Sequence, residues 1–87
     1  PRAVATASPA QRARAAALTA ALGGAGNVLR VEPVAATRLR AELRDAGAMD
    51  EGALARDGAA AMRVAPDVVH LVVGADSEAL AAAMAGG

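Results

Sequence analysis

The chain has 87 residues, enough for one small domain near the lower limit of an independently stable core. It contains no Phe, Tyr, Trp or Cys, and about a third of it is alanine, so its 55% apolar content overstates the volume it can bury. Nine acidic residues balance nine basic ones, all of them arginine, which argues against broad electrostatic binding to nucleic acid.

With no cysteine and a single histidine, neither a disulfide framework nor a zinc site is expected, and no cofactor is implied. No segment approaches the roughly 18 consecutive apolar residues of a membrane span, so direct membrane insertion is not expected. The N-terminal residues lack the charged, apolar and cleavage regions of a signal peptide. The compartment these absences suggest is the cytoplasm. The bulky apolar side chains are few, and a buried leucine contributes roughly 1.5–3 kcal/mol, far more than an alanine. Stability should therefore concentrate on Leu18, Leu22, Leu39, Leu43, Leu71 and Leu80.

Residues 1–7 read as a lead-in or the end of a linker, and residues 8–87 as the domain. Ser8-Pro9-Ala10-Gln11 starts a helix: serine caps, proline suits the first helical position, and glutamine three residues after the serine completes a capping box. Leu18 and Leu22, with Ala15 and Ala21, form one apolar stripe at helical spacing. Gly23-Gly24 ends the helix, because glycine takes the left-handed conformation a C-cap needs.

Val28 to Glu32 is β-like, with Leu29 and Val31 expected on one face and Arg30 and Glu32 on the other. The segment from Thr37 to Arg44 alternates without a fault. In a strand, that puts Leu39, Ala41 and Leu43 toward a core and Arg38, Arg40, Glu42 and Arg44 on a wet face. The sheet should then be covered on one side only.

Asp50 can cap a short helix through Leu54 that ends near Asp57-Gly58. Ala61 to Val64 reads as a strand and Pro66-Asp67 as a turn. Val68 to Val73 is a β-branched run suited to a central strand, although periodicity alone does not separate it from a buried helix. Gly74 ends it, and Asp76 is placed to cap a last helix carrying Leu80 and Met84, before Gly86-Gly87. The order is helix, strand, strand, helix, strand, strand, helix, with no convincing internal repeat. The expected fold class is α+β: a four-stranded antiparallel sheet with three helices packed on one face.

Ala35-Ala36-Thr37-Arg38-Leu39-Arg40 resembles the phosphorylation-site motif of the glucose and N-acetylglucosamine type IIB components of the bacterial sugar phosphotransferase system, which often reads Cys-Ala-Thr-Arg-Leu-Arg. The likeness extends to the alanine-rich first helix ending in Gly23-Gly24, to Asn27, and to the hydrophobic strand closed by Gly74 and followed by Asp76. It implies a cytoplasmic phosphocarrier domain, held at the inner face of the membrane through its partner. The family's cysteine takes a phosphoryl group from a histidine of the IIA component and passes it to sugar held by the membrane-embedded IIC component. The implied site residues are Ala35 at the cysteine position, Thr37 as a hydroxyl donor, and Arg38 and Arg40 to pair phosphoryl oxygens.

Ala35 has no nucleophilic atom, so phosphoryl relay by that route is closed to the chain as it stands. Glu32 and Pro33 precede it, and the stretch from Asn27 to Ala35 is one residue longer than the family spacing. His70 falls where many relatives carry glutamine; it is either a competing nucleophile or a histidine at the edge of the wet face. Arg38, Arg40 and Arg44 are either an anion-binding surface or a solvated strand face balanced by Glu42. Gly23-Gly24 is not a phosphate loop, because it closes a helix, where the dipole is negative. Three functional readings follow: a phosphocarrier domain inactive at Ala35, a non-catalytic module that docks IIA or IIC, and a generic fold unrelated to sugar transport.

Overall fold

The computed structural model describes residues 7–85. The expected lead-in falls outside them except for Ala7, as does the Gly86-Gly87 end. Helix α1 (Pro9–Ala21) starts with the full capping box: Ser8 Oγ accepts from the Gln11 amide and Gln11 Oε1 accepts from the Ser8 amide. A 3₁₀ turn (Ala25–Asn27) leads to strand β1 (Val28–Ala35), and a two-residue turn at Ala36-Thr37 to β2 (Arg38–Leu43). A second 3₁₀ turn (Ala46–Ala48) precedes α2 (Glu51–Arg56), which Asp50 caps through the Ala53 amide. Strands β3 (Ala60–Ala65) and β4 (Val68–Val72) form the second hairpin, and α3 (Ser77–Ala85) follows. The sheet is antiparallel throughout, in the order β1-β2-β4-β3, so the two most regular strands lie in the centre.

Alternation fixes which face is covered. Leu39, Ala41 and Leu43 on β2, and Val69, Leu71 and Val73 on and just after β4, are buried together with Leu18, Leu22, Leu54 and Leu80 from the helices. All six leucines on which stability was expected to concentrate are in this cluster, joined by Leu54. With no aromatic residue available, alanine supplies the rest: Ala15, Ala21, Ala46, Ala59 and Ala81 fill the gaps where helices and sheet approach closely.

Asn27 and Arg14 tie the layers together. Asn27 is buried, and its Nδ2 donates to the carbonyls of Leu22 (2.7 Å) and Asp45 (2.9 Å) while its Oδ1 accepts from the Asp45 amide. Every polar atom of that side chain is thus used to join the end of α1 to the exit of β2. Arg14 donates from Nε to Asp57 Oδ2 (3.0 Å) and from Nη1 to the Val73 carbonyl (2.8 Å), joining α1 to the end of α2 and the end of β4.

Four local expectations are corrected. Leu29 does not face the core; it is 56% exposed, because a bulge between the Val28–Leu43 and Arg30–Glu42 pairs hands its inward place to Val28. Strand β1 continues past Glu32 to Ala35, with a second bulge between Pro33 and Ala35. Thr37 lies in the turn and is exposed, not a strand residue pointing to the core. Arg38, Arg40 and Glu42 are on the uncovered face as expected, but half-buried rather than exposed, since neighbouring strands shield their stems.

The two hairpins share one device that the sequence did not reveal as a repeat. Each has a bulge at a valine (Val34, Val64), then an alanine, then a two-residue turn. Among the described residues no non-glycine has a positive φ, so neither turn is of the primed type that normally matches strand twist. A bulge adds local right-handed twist, and here it stands beside each turn.

Candidate functional site

Ala35 ends β1 at the rim of the sheet and is exposed, paired across the turn with Arg38 of β2. Beside it lies an open cleft of about 400 Å³ lined by Pro33, Ala35, Ala36, Ala75, Ser77 and Glu78. The start of α3 forms one wall. Ser77 is buried, and its Oγ lies 2.9 Å from the Ala35 carbonyl and 2.8 Å from that of Ala36, so its single proton is shared between them. The hydroxyl thus anchors the end of β1 to α3.

The arginines differ in what they have available. Arg40 Nη1 is held by Glu42 Oε2 at 2.6 Å and lies 3.6 Å from Glu32 Oε1, so two carboxylates neutralise it on the open face. Arg38 forms no ion pair among the described residues. Its Nε is shielded from water and has no hydrogen-bond partner there. A shielded donor without a partner is costly. With no carboxylate holding it, the Arg38 guanidinium is the freer of the two cations to meet an anion. The positive N-terminal end of α3 favours the same charge at the cleft, whereas Glu78 opposes it.

The structure therefore brings Ala35, Thr37 and Arg38 together at one turn. It sets Arg40 one pleat further in, already paired. His70 is opposite Arg40 and Met62, in the middle of the open face rather than at its edge. It is two residues along β4 from Val72, the residue facing Arg38, so it is displaced from Ala35 by more than a pleat repeat of roughly 6–7 Å. Among the described residues, no group of acidic, histidine or cysteine side chains is placed to hold a metal ion. No described helix is long and apolar enough to cross a membrane.

The sequence reading missed Ser77 and Glu78. Ser77 sits beside Ala35 only because α3 folds back onto β1, a contact spanning some forty residues of chain. No local pattern signals it. Each of the two bulges in β1 lodges one unpaired residue and shifts the pairing with β2 by one.

Neither the models of known protein families nor the curated proteins contain a match to this chain. The structure establishes the α+β fold.

Proposed function

We propose that the chain is a IIB-type domain of a sugar phosphotransferase system whose phosphoryl-acceptor position is occupied by Ala35. In this reading it offers a docking surface to IIA and IIC partners without relaying phosphate. The observation that carries it is the pairing of exposed Ala35, at the position the family motif gives to its phosphocysteine, with Arg38, a cation that no carboxylate holds among the described residues. The order of elements around the motif and the one-sided sheet support the same reading. A methyl group has no electron pair with which to attack phosphorus, and the Ser77 hydroxyl beside Ala35 is buried and spends its proton on backbone carbonyls. The non-relaying form is favoured further by Glu32 and Glu42, which neutralise Arg40.

The test uses enzyme I, the histidine phosphocarrier protein, a matching IIA and labelled phosphoenolpyruvate. The chain as it stands is expected to take no label, while the Ala35→Cys variant, with a thiolate at the rim beside Arg38, accepts it. Isotope-labelled chain titrated with IIA should show amide shifts around residues 33–38 in both forms. An Ala35→Cys variant that neither takes label nor responds to IIA overturns the reading. Label on the unmodified chain that disappears in His70→Ala would make His70 the acceptor instead.

A further inference from the structure

The two edges of the sheet are built differently. The bonds from the Leu43 amide to the Asp67 carbonyl and from the Val73 amide to the Thr37 carbonyl bracket the β2–β4 ladder. Antiparallel alternation then makes Leu39–Leu71 and Ala41–Val69 its hydrogen-bonded pairs, so Val68, His70 and Val72 turn their amide groups to β3. On β3, Ala60 and Met62 answer them, and Ala61 and Arg63 turn theirs away from the sheet. By the same count, β1 turns Val31 and Pro33 outward.

Pro33 thus removes a donor from the outer edge of β1, and bulges at Leu29 and Val34 break up the rest. These are the means by which sheets avoid pairing with other chains. Strand β3 has no such protection from Ala60 to Arg63; its one bulge comes afterwards, at Val64. Met62 and Val64 are about half exposed, at 50% and 51%.

We propose that β3 pairs antiparallel with β3 of a second copy of this chain, about a two-fold axis through Met62, joining the two sheets into one of eight strands. The outward groups select this register. Ala61 of one copy and Arg63 of the other exchange both of their backbone bonds, and symmetry repeats the exchange on the other side of the axis. Met62 then faces its own counterpart as a non-hydrogen-bonded pair, the closer type, with Cα atoms about 4.5 Å apart. Val64 of each copy comes opposite Ala60 of the other, extending the apolar strip on the uncovered face. Self-pairing is favoured over an unrelated strand because one short segment supplies matched donors, acceptors and side chains to both halves. Arg63 is the opposing element: the two copies of it lie diagonally across the axis, some 7–8 Å apart, on the helix side. The inference does not rest on the phosphotransferase reading.

The full chain is examined by sedimentation equilibrium up to about millimolar concentration, at about 0.5 M salt to screen Arg63, since a strand-edge interface is small and associates weakly. A concentration-dependent dimer is expected, with slowed amide exchange at Ala61 and Arg63. The chain has no cysteine, so Met62→Cys gives a clean cross-linking probe. Under mild oxidant it should form a disulfide dimer at least about tenfold faster than Ala60→Cys, because only position 62 meets itself within disulfide reach. Arg63→Pro deletes an outward amide and spares the ladder to β4, and Met62→Lys opposes two cations at the axis; each should leave a folded monomer by NMR. A wild-type chain that stays monomeric, a dimer untouched by Met62→Lys, or equal cross-linking at positions 60 and 62 would each overturn the proposal.

Discussion

A Cβ placed on Gly23 would come 2.5 Å from Nδ2 of Asn27 and 3.1 Å from the Cβ of Ala48. Gly23 also has a φ of +108°. Close approach and backbone conformation therefore both demand glycine here. Asn27 cannot yield, because its amide is fixed by Leu22 and Asp45. Gly23→Ala should cost about 2–3 kcal/mol from strain and displacement together. Asn27→Ala should cost a similar ~2–4 kcal/mol by leaving buried backbone groups unpaired. Urea denaturation of both variants measures this. A loss below ~1 kcal/mol for Asn27→Ala would show that water replaces its side chain freely.

Leu39 and Leu71 are cross-strand partners on the two central strands, and both are fully buried. Without large aromatic neighbours to lean into a void, a cavity at either position should remain partly open. Leu71→Ala is expected to cost ~3–5 kcal/mol, the upper part of the range for such truncations, and the double variant less than the sum because the cavities merge. Thermal melts of the three variants test this, and strict additivity would contradict the shared cavity.

Much of this fold was legible because β2 presents two chemically different faces. Leu39, Ala41 and Leu43 alternate with charges, and that pattern admits one register only. Strand β1 was harder. Leu29 and Val31 alternate with Arg30 and Glu32 as a regular strand would, and nothing local announces the bulge that turns Leu29 outward. Thr37 was misplaced for a related reason: alternation continues through it, yet the chain reverses there, and a two-residue turn without glycine or asparagine carries no turn signal. The arginines were read correctly as to face. Their difference was hidden, because Arg40 is paired by Glu32 from the neighbouring strand as well as by Glu42 on its own, and only the β1–β2 register brings Glu32 opposite.

Ser77 joins α3 to the rim that carries Ala35. Ser77→Ala should cost about 1 kcal/mol, the usual net worth of such a hydrogen bond. The more telling effect is local. Hydrogen exchange at the amides of residues 35–37 should accelerate more than exchange in the core strands, because one tether of that turn has been cut. Uniform acceleration across the sheet would mean that Ser77 supports global stability and not the turn.

Arg14 contacts Asp57 and the Val73 carbonyl from a half-buried position. Lysine has a single charged nitrogen and cannot reproduce both the planar fork toward Asp57 and the reach to β4. Arg14→Lys is therefore expected to lose ~1–2 kcal/mol despite keeping the charge. Asp57→Asn should lose less, since Arg14 keeps its bond to Val73. Equal stability of Arg14→Lys and the parent chain in denaturant titrations would show the contact with Val73 to be dispensable.

The rim should bind inorganic phosphate weakly, and the two arginines should contribute unequally. Arg38 offers a guanidinium that no carboxylate holds among the described residues, so an arriving anion meets no competing partner there. Arg40 offers little, because a new anion must compete with Glu42 at 2.6 Å and with Glu32. Phosphate titration followed by NMR at low salt should move the amides of residues 34–40, and Arg38→Met should abolish the response. Arg40→Met should weaken it less. The sharper test is Glu42→Gln, which removes one of the two carboxylates holding Arg40 while preserving the shape of the side chain. Releasing a half-exposed pair of this kind is worth about 0.5–1 kcal/mol, so phosphate should bind roughly two- to fivefold more tightly. The gain should fade as salt rises, because surface electrostatics is screened over about 8–10 Å at physiological ionic strength. If Arg38→Met leaves the titration unchanged, or if Glu42→Gln fails to tighten binding, the arginines form a solvated strand face and the rim is not an anion site.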